Sequence, residues 1–158
     1  MNKETAFAPI ILFVYNRPEH TRRTVTSLLK NPEAEMSDLF VFSDAAKDKS
    51  AEEAVRQVRE YIRQISGFKT LTIYERDSNW GLANSVIDGV SRICNEFGKV
   101  VVLEDDLDVS PHFLAYMNAG LYKYEHDEQV MQIAGYMFPT DIQSTEDALL
   151  LPLTSSWG

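Results

Sequence analysis

The stretch KVVVLEDDLDVSPHFLAYM, residues 99–117, contains an apolar strand, three consecutive acidic residues and the first turns of a helix. Val100–Leu103 is the most apolar of the predicted strands, and the acidic triplet Glu104–Asp106 follows it directly. Ser110 and Pro111 are residue types that are favoured where a helix begins. The stretch therefore predicts a strand that ends in acidic residues and leads into a helix.

The same alternation of strand and helix extends toward the N-terminus. Continuous apolar runs are typical of strands that are buried on both faces of a parallel sheet. Strands joined by helical crossovers form a mostly parallel sheet with helices on both faces. The sequence therefore predicts an α/β, Rossmann-like fold, with strands at Pro9–Tyr15, Leu39–Ser43, Leu71–Tyr74, Val100–Leu103 and Val130–Ala134.

Capping and turn residues mark the predicted helices between these strands. Pro18 has the position of a first helical residue, and Ser50 and Glu53 have the spacing of a capping box. Gly67 and Gly98 follow the second and third helices as glycines at a helix C-terminus do. The sequence thus predicts helices that alternate with every strand in the first two thirds of the chain.

Composition excludes several classes of function. The chain has 158 residues, and its 24 acidic residues outnumber its 15 Lys and Arg, giving a net charge of −9. Broad binding to nucleic acid or to an anionic membrane needs a basic face, so neither partner is expected. Cys94 is the single cysteine, which excludes an internal disulfide and a site with several thiolates. His20, His112 and His126 have no spacing that suggests a shared metal.

The two ends of the chain predict a cytoplasmic protein that continues beyond this sequence. The apolar run Ala8–Tyr15 is too short to span a bilayer and lacks a cleavage site, so it is interpreted as a strand. Residues 1–158 are expected to form one domain without a transmembrane segment. Leu149–Leu153 is apolar, but Ser155–Gly158 follows it without a further helix, which suggests the N-terminal part of a longer enzyme.

Polar and charged residues follow each of the first four predicted strands. In an open parallel sheet, ligands bind beyond the carboxyl ends of the strands. Side chains from four separate elements are therefore expected to converge on one edge of the sheet. These residues are Asn16 and Arg17, Asp44, Arg76 and Asp77, and Glu104, Asp105 and Asp106.

The acidic triplet has two interpretations. Adjacent carboxylates repel one another, and a hard divalent cation relieves that repulsion. Mg²⁺ or Mn²⁺ takes one or two carboxylates and completes its coordination with water and substrate phosphate oxygens. Alternatively, Asp105, Asp106 and Asp108 are acids of an ordinary loop before the helix at Ser110. The position at the end of a strand favours the metal site.

Two arginines and one asparagine near the same edge also have alternative roles. Arg17 and Arg76 carry guanidinium groups, which match phosphate oxygens, but either one can instead cap a helix or pair with a neighbouring acid. Asn79 is either the N-cap of the third helix or a contact to an anionic or sugar ligand at that helix N-terminus. No Walker loop, dinucleotide fingerprint or serine nucleophile elbow occurs in the sequence.

Four stretches of the chain, taken in order, match a known family. They are PIILFVYNRPEHTRRTVTSLLKN (9–31), FVFSDAAKD (40–48), ERDSNWGLANSVIDGV (75–90) and KVVVLEDDLDVSPHFLAYM (99–117). Together they resemble nucleotide-sugar-dependent glycosyltransferases of the GT-A fold, over roughly residues 8–138. The first, second and fourth are similar to the N-acetylglucosaminyltransferase I type, whose metal motif is likewise Glu-Asp-Asp before a helix. The third is also similar to the broad family-2 glycosyltransferases.

The resemblance implies a role for each residue at the edge. The implied donor is a nucleotide-diphosphate sugar, most simply a UDP-sugar. The implied cofactor is Mn²⁺ or Mg²⁺, and the implied acceptor is a saccharide. Asp106 would be the metal ligand and Asp44 an acceptor for a uracil N–H. The remaining implied donor contacts are Glu104 and Asp105 to the sugar and ribose, Asn16 and Arg17 to the nucleotide, Arg76 to the sugar-phosphate, and Asn79 beside them.

The catalytic base is left unassigned. In inverting members of such families, a further carboxylate deprotonates the acceptor hydroxyl, and it belongs to the C-terminal half of the domain. The late acids Asp141, Glu146 and Asp147 are not assigned that role.

Three other functions remain open from the sequence. A sugar nucleotidyltransferase usually has a glycine-rich basic loop after the first strand, whereas Tyr15–Pro18 contains no glycine. A phospho-acceptor signalling domain has its acidic pair after the first strand rather than the fourth. A non-catalytic nucleotide-sugar-binding fragment is the third alternative.

Overall fold

The computed structural model describes residues 7–136, which form a parallel sheet and its flanking helices. The four strands expected up to Leu103 are confirmed, and no strand end differs by more than one residue from its expected position. The elements in chain order are β1 (Ile10–Val14), α1 (Pro18–Leu28), a short 3-10 helix (Pro32–Met36), β2 (Asp38–Ser43), α2 (Glu52–Ile62), β3 (Thr70–Glu75), α3 (Leu82–Phe97), β4 (Val101–Glu104) and α4 (Phe113–Lys123).

The sheet is parallel throughout and has the strand order β3-β2-β1-β4. Its register pairs Val14 of β1 with Ser43 of β2, and Ser43 with Glu75 of β3. On the other side of β1, Phe13 pairs with Glu104 of β4. All four strands therefore end together, and we call this end of the sheet the carboxyl edge.

Side chains of β1 alternate between two cores, because successive residues of a strand point to opposite faces. One core contains Ile10, Leu12 and Val14 together with apolar residues of α1, α2 and α4. The other contains Ile11 and Phe13 together with aromatic residues of β2 and Ile93 of α3. The predicted α/β fold, with helices on both faces of the sheet, is confirmed.

Buried polar side chains fasten the segment that follows β4 to α1. The Thr24 hydroxyl donates to the carbonyl of Leu107 at 2.7 Å, and the Ser27 hydroxyl accepts the N–H of Val109 at 3.1 Å. Asn31 is buried at the end of α1, and its Oδ1 accepts a backbone N–H of α4 at 2.9 Å. These bonds fix the loop after the acidic triplet relative to the start of α1.

The prediction of a strand at Val130–Ala134 is wrong. The structure gives these residues no regular secondary structure, and the side chain of Met131 is 98% exposed. Ile133 packs beside Gly120 of α4 against the core that contains Ile10, Leu12 and Val14. This segment therefore contributes an apolar side chain to the core without pairing as a strand. The apolar segment Leu149–Leu153 lies outside the described residues.

The expected capping box of α2 is also wrong. The Ser50 hydroxyl donates to the carboxylate of Asp48, and Glu53 pairs with Arg56 one turn further along. The N-cap of α2 is Ala51, which has no side-chain cap, so Ser50 lies one residue before the position that a capping box requires. Helix α2 ends at Ile62, before Gly67, whose φ is +94°.

Among residues 7–136, no helix is long and apolar enough to cross a membrane.

Candidate functional site

The carboxyl edge brings together the polar residues that follow all four strands. The backbone N–H of Asp44, after β2, donates to the carbonyl of Val14 at 3.1 Å. The N–H of Tyr15 donates to the carboxylate of Asp105, after β4, at 3.2 Å. Asp44 and Asp105 are therefore both anchored to the end of β1, one on each side of it.

Arg17 faces the acidic triplet from the start of α1. Its Nη1 lies 2.7 Å from Asp106 Oδ2 and 4.0 Å from Asp105 Oδ1. The side chain of Asp105 is 11% exposed, whereas that of Asp106 is 30% exposed. Asn16 is half-buried in the same turn, and its side chain has no hydrogen bond to another described residue. Asp106 is thus the carboxylate of the pair that solvent reaches more easily.

The carboxyl groups of Glu104 and Asp105 both have pKa values above their ordinary values. Partial burial raises the pKa of Glu104, and the negative charges of Asp106 and Asp105 raise it further. Burial also raises the pKa of Asp105, against the opposing effect of the hydrogen bond from the Tyr15 N–H. The triplet is therefore a place where negative charge is crowded and a cation is favoured.

The donor set fits a divalent cation that depends on its substrate for most of its ligands. Within residues 7–136, no group of three or more Asp, Glu, His or Cys forms a cage for a metal. Mg²⁺ and Mn²⁺ are commonly held by one or two carboxylates plus substrate phosphates and water. The exposed carboxylate of Asp106, with Asp105 and Glu104 beside it, meets that requirement.

Asp44 is the N-terminal anchor of α3, although 37 residues separate it from that helix. Its Oδ1 accepts the N–H of Trp80 at 2.9 Å and that of Ala45 at 2.9 Å, and its Oδ2 accepts the N–H of Gly81 at 2.8 Å. A carboxylate has about four acceptor positions. Three of them are therefore occupied by backbone groups, and one remains for a ligand.

The expectation that Asn79 caps α3 is wrong. The N-cap is Gly81, whose φ of +74° is a conformation that glycine adopts without strain. Asn79 lies before it and donates from its side chain to the carbonyl of Ala45 at 2.7 Å. Asp44 holds the two residues that precede α3 from another loop, by accepting the N–H groups of Trp80 and Gly81.

Arg76, after β3, is held between an aromatic ring and an acid. Its guanidinium carbon lies 3.8 Å from the centre of the Trp80 ring, and its Nη2 pairs with the carboxylate of Asp88 on α3. The Nε of Arg76 is buried and has no hydrogen-bond partner among the described residues. Trp80 remains 41% exposed above this buried arginine. Arg76 thus supports Trp80 at the carboxyl edge.

Arg59 is a residue of this edge that sequence reasoning missed. It extends from α2, and its Nη2 donates to the carbonyl of Arg76 at 2.7 Å and to that of Asp44 at 3.4 Å. It therefore joins the loops that follow β2 and β3. In the sequence it is one of several charged residues along a helix, and nothing in its spacing distinguishes it from exposed neighbours such as Arg56 and Arg63.

Comparison with known proteins supports a glycosyltransferase fold. The model of the GNT-I family matches residues 1–139. No curated protein has a significant sequence match to the chain.

Two solved structures have a similar fold. The mannosyltransferase PcManGT from Pyrobaculum calidifontis, in complex with GDP-Man and Mn²⁺, has a TM-score of 0.51 and 19% identity over 78% of this chain and 33% of that one. TarS of S. aureus has a TM-score of 0.50 and 17% identity over 74% of this chain and 20% of that one. The chain thus spans a third or less of the length of these two proteins.

Proposed function

This chain belongs to the GNT-I family, and from its GT-A fold and the geometry of its carboxyl edge we propose that it is a glycosyltransferase with a nucleotide-sugar donor. The proposed donor is a UDP-sugar and the proposed acceptor is a saccharide. The proposed cofactor is Mn²⁺ or Mg²⁺, with Asp106 as its protein ligand. This proposal is the hypothesis on which the experiments below are designed.

One observation carries the proposal. The loop after β1 separates an acidic triplet on one side from the Asp44-anchored N-terminus of α3 on the other. The carboxylates of the triplet favour a divalent cation, whereas Asp44 presents a remaining acceptor position beside the start of α3. A ligand that lies along this edge therefore meets a cation-binding site at one end and a hydrogen-bond acceptor at the other. A nucleoside diphosphate bound to a metal presents a metal-bound diphosphate and a base with an N–H, which suit these two ends.

The metal supplies Lewis-acid stabilisation of the departing diphosphate when it is bound. Asp106 holds the cation, and Asp105 is kept in place by the N–H of Tyr15. Arg17 lies close enough to pair with a diphosphate oxygen, because its guanidinium is already at Asp106. In this proposal the chain binds and orients the leaving group.

The base of the nucleotide is proposed to lie near Asp44. The carboxylate retains about one acceptor position after its three backbone bonds. Uracil presents an N–H that suits such an acceptor, and the exposed indole of Trp80 lies beside it. PcManGT is named in complex with GDP-Man, so guanine is the competing base that a test should include.

Calorimetry of the 158-residue chain tests this proposal directly. We expect UDP to bind with micromolar affinity in the presence of Mn²⁺, and we expect EDTA to weaken that binding strongly. GDP in place of UDP should bind more weakly. A folded chain that gives no heat with either nucleotide and Mn²⁺ contradicts the proposal, whereas tighter binding of GDP corrects the choice of donor.

Asp106→Asn tests the assignment of the metal ligand. Loss of the carboxylate should weaken Mn²⁺-dependent UDP binding by at least about tenfold, because a charged ligand to the cation is removed. The thermal stability should remain similar, since Asp106 is partly exposed. Asp108→Asn is the matched control, because Asp108 is an exposed acid of the same loop that pairs with Arg23. Equal UDP affinity in both variants would remove Asp106 from the site.

A further inference from the structure

Arg17 pairs with one of the two carboxylate oxygens of Asp106, the proposed metal ligand. Its Nη1 lies 2.7 Å from Asp106 Oδ2, and it also faces Asp105 at 4.0 Å. The guanidinium thereby compensates part of the negative charge of the crowded triplet. His20 and Arg23 lie beside Asp106 and line a small cavity with it, but Arg23 pairs with Asp108 at 3.7 Å, and among the described residues only Arg17 forms an ion pair with Asp106.

A guanidinium and a divalent cation that both bind the Asp106 carboxylate repel each other. Mg²⁺ or Mn²⁺ binds a carboxylate oxygen at roughly 2.1 Å, closer than the hydrogen bond from Arg17. The two cations would then lie a few ångströms apart, where like charges repel strongly even near a protein surface. The guanidinium of Arg17 therefore opposes the binding of a metal at Asp106 for as long as it stays beside this carboxylate.

The local structure allows the guanidinium to move while its backbone stays fixed. The side chain of Arg17 is 53% exposed. Its carbonyl accepts both the N–H and the hydroxyl of Thr21 at 2.9 Å, which holds the residue at the start of α1. A displaced Arg17 would face solvent unless an anion arrives with the metal, and a diphosphate oxygen is the anion that the proposed donor provides.

We propose that Arg17 is an internal counter-ion of Asp106 that exchanges partners when the metal and the diphosphate bind together. This inference rests on the proposed function and assigns a positioning role within it. The metal alone binds weakly, because the positively charged guanidinium beside it has no new partner. The diphosphate gives Arg17 a new partner, so each ligand raises the affinity of the other, as coupling between sites requires.

Two titrations of the 158-residue chain test the exchange, one with Mn²⁺ in the absence of nucleotide and one with UDP at saturating Mn²⁺. Electron paramagnetic resonance of free Mn²⁺ measures the first, and calorimetry measures the second. Arg17→Gln should bind Mn²⁺ alone about fivefold more tightly, since a competing cation is gone. It should bind UDP about tenfold more weakly, since a charge-assisted hydrogen bond to phosphate is lost.

Arg23→Gln is the matched control, because it removes the same charge from an exposed residue of α1 that forms no ion pair with Asp106. Arg17→Lys keeps the charge and should bind Mn²⁺ alone within about twofold of the original chain, since an ammonium also pairs with Asp106. Opposite shifts of the two affinities in Arg17→Gln, absent from Arg23→Gln, support the exchange. A purely structural role of Arg17 would weaken both affinities together.

The outcomes separate this inference from the proposed function. If the original chain binds no UDP with Mn²⁺, the proposed function fails, and the exchange fails with it. If the original chain binds UDP with Mn²⁺ but Arg17→Gln binds Mn²⁺ alone no more tightly than Arg23→Gln does, the exchange is overturned and the proposed function stands.

Discussion

A single carboxylate, Asp44, connects three segments that are far apart in the sequence. It follows β2, is anchored by its own N–H to β1, and accepts the backbone N–H groups of Trp80 and Gly81 at the start of α3. Its side chain is buried at the end of the sheet. A negative charge at a helix N-terminus is favourable, and here it also satisfies donors that would otherwise be unpaired.

Asp44→Asn should lower the free energy of unfolding by about 1–3 kcal/mol. The amide keeps one acceptor oxygen but turns an NH₂ group toward a backbone N–H, and the charge at α3 is lost. Urea unfolding followed by circular dichroism measures the effect. Asp77→Asn is the control, because Asp77 is an exposed acid near the same helix. Equal unfolding midpoints for the two variants would contradict the anchoring role.

The sequence indicates that Asp44 lies at the carboxyl edge, but not what it binds there. A polar residue directly after an apolar strand is a local signal, and the parallel topology then places it. Its partners Trp80 and Gly81 lie 36 and 37 residues away, and their positions depend on how α3 packs on the sheet. The same reason hides Arg59, whose hydrogen bonds to the β2 and β3 loops have no counterpart in local spacing.

Helix α3 approaches the sheet closely at Gly89. A Cβ added there would lie 2.8 Å from Cζ of Phe13 and 3.3 Å from Cε2 of Phe42. Phe13 is buried between neighbouring strands, and its ring is 5.5 Å from that of Phe42, so neither ring can move away easily. The glycine thus sets the distance between the helix and the aromatic core.

Gly89→Ala should destabilise the chain by about 1–2 kcal/mol, because crowding of the core outweighs the gain in helix propensity. Gly120→Ala on α4 is the matched control. There the nearest atom is Cγ2 of Ile133 at 3.0 Å, on a segment without regular structure, so the neighbour can shift and the change should be close to neutral. Thermal unfolding of both variants tests the difference. A Gly89→Ala chain as stable as the original would mean that α3 is free to move outward.

The sequence predicts complete elements better than it predicts their ends. The apolar runs of β1 and β4 reflect strands that are buried by their neighbours, and this pattern is visible without the structure. The capping box of α2 fails instead because the helix begins one residue later than its spacing implies, with Ala51 as the N-cap. Val130–Ala134 has a composition that suits a strand, but strand formation needs a partner edge, which composition does not reveal.

The excess of negative charge is unevenly distributed over the molecule. The chain has a net charge of −9, and the carboxyl edge crowds three consecutive acids around Asp105. Burial and the neighbouring carboxylates raise the pKa of Glu104, and burial raises that of Asp105. By contrast, hydrogen bonds from Arg56 lower the pKa of Glu53 to about 2. The acidic triplet at the carboxyl edge therefore opposes folding at neutral pH, whereas the Glu53–Arg56 pair of α2 supports it.

The stability of the metal-free chain should therefore increase as the pH falls from neutral toward about 5. Glu104 and Asp105 have folded pKa values above their ordinary values of 4.5 and 3.8, so the folded state binds more protons in that range. Acidification then favours folding until carboxylates with lowered pKa values, such as Glu53, begin to protonate in the unfolded chain at about pH 4. Urea unfolding across this pH range measures the profile.

Glu104→Gln assigns the effect to the edge rather than to the overall charge. The variant should be more stable than the original at neutral pH, by no more than about 1 kcal/mol because solvent screens a half-buried group. It should also gain less on acidification, since one of the two titrating carboxyls is gone. Glu96→Gln removes the same charge from an exposed position of α3 and should keep the original profile. If both variants shift the profile equally, general charge repulsion explains it, and the acidic triplet carries no special strain for a cation to relieve.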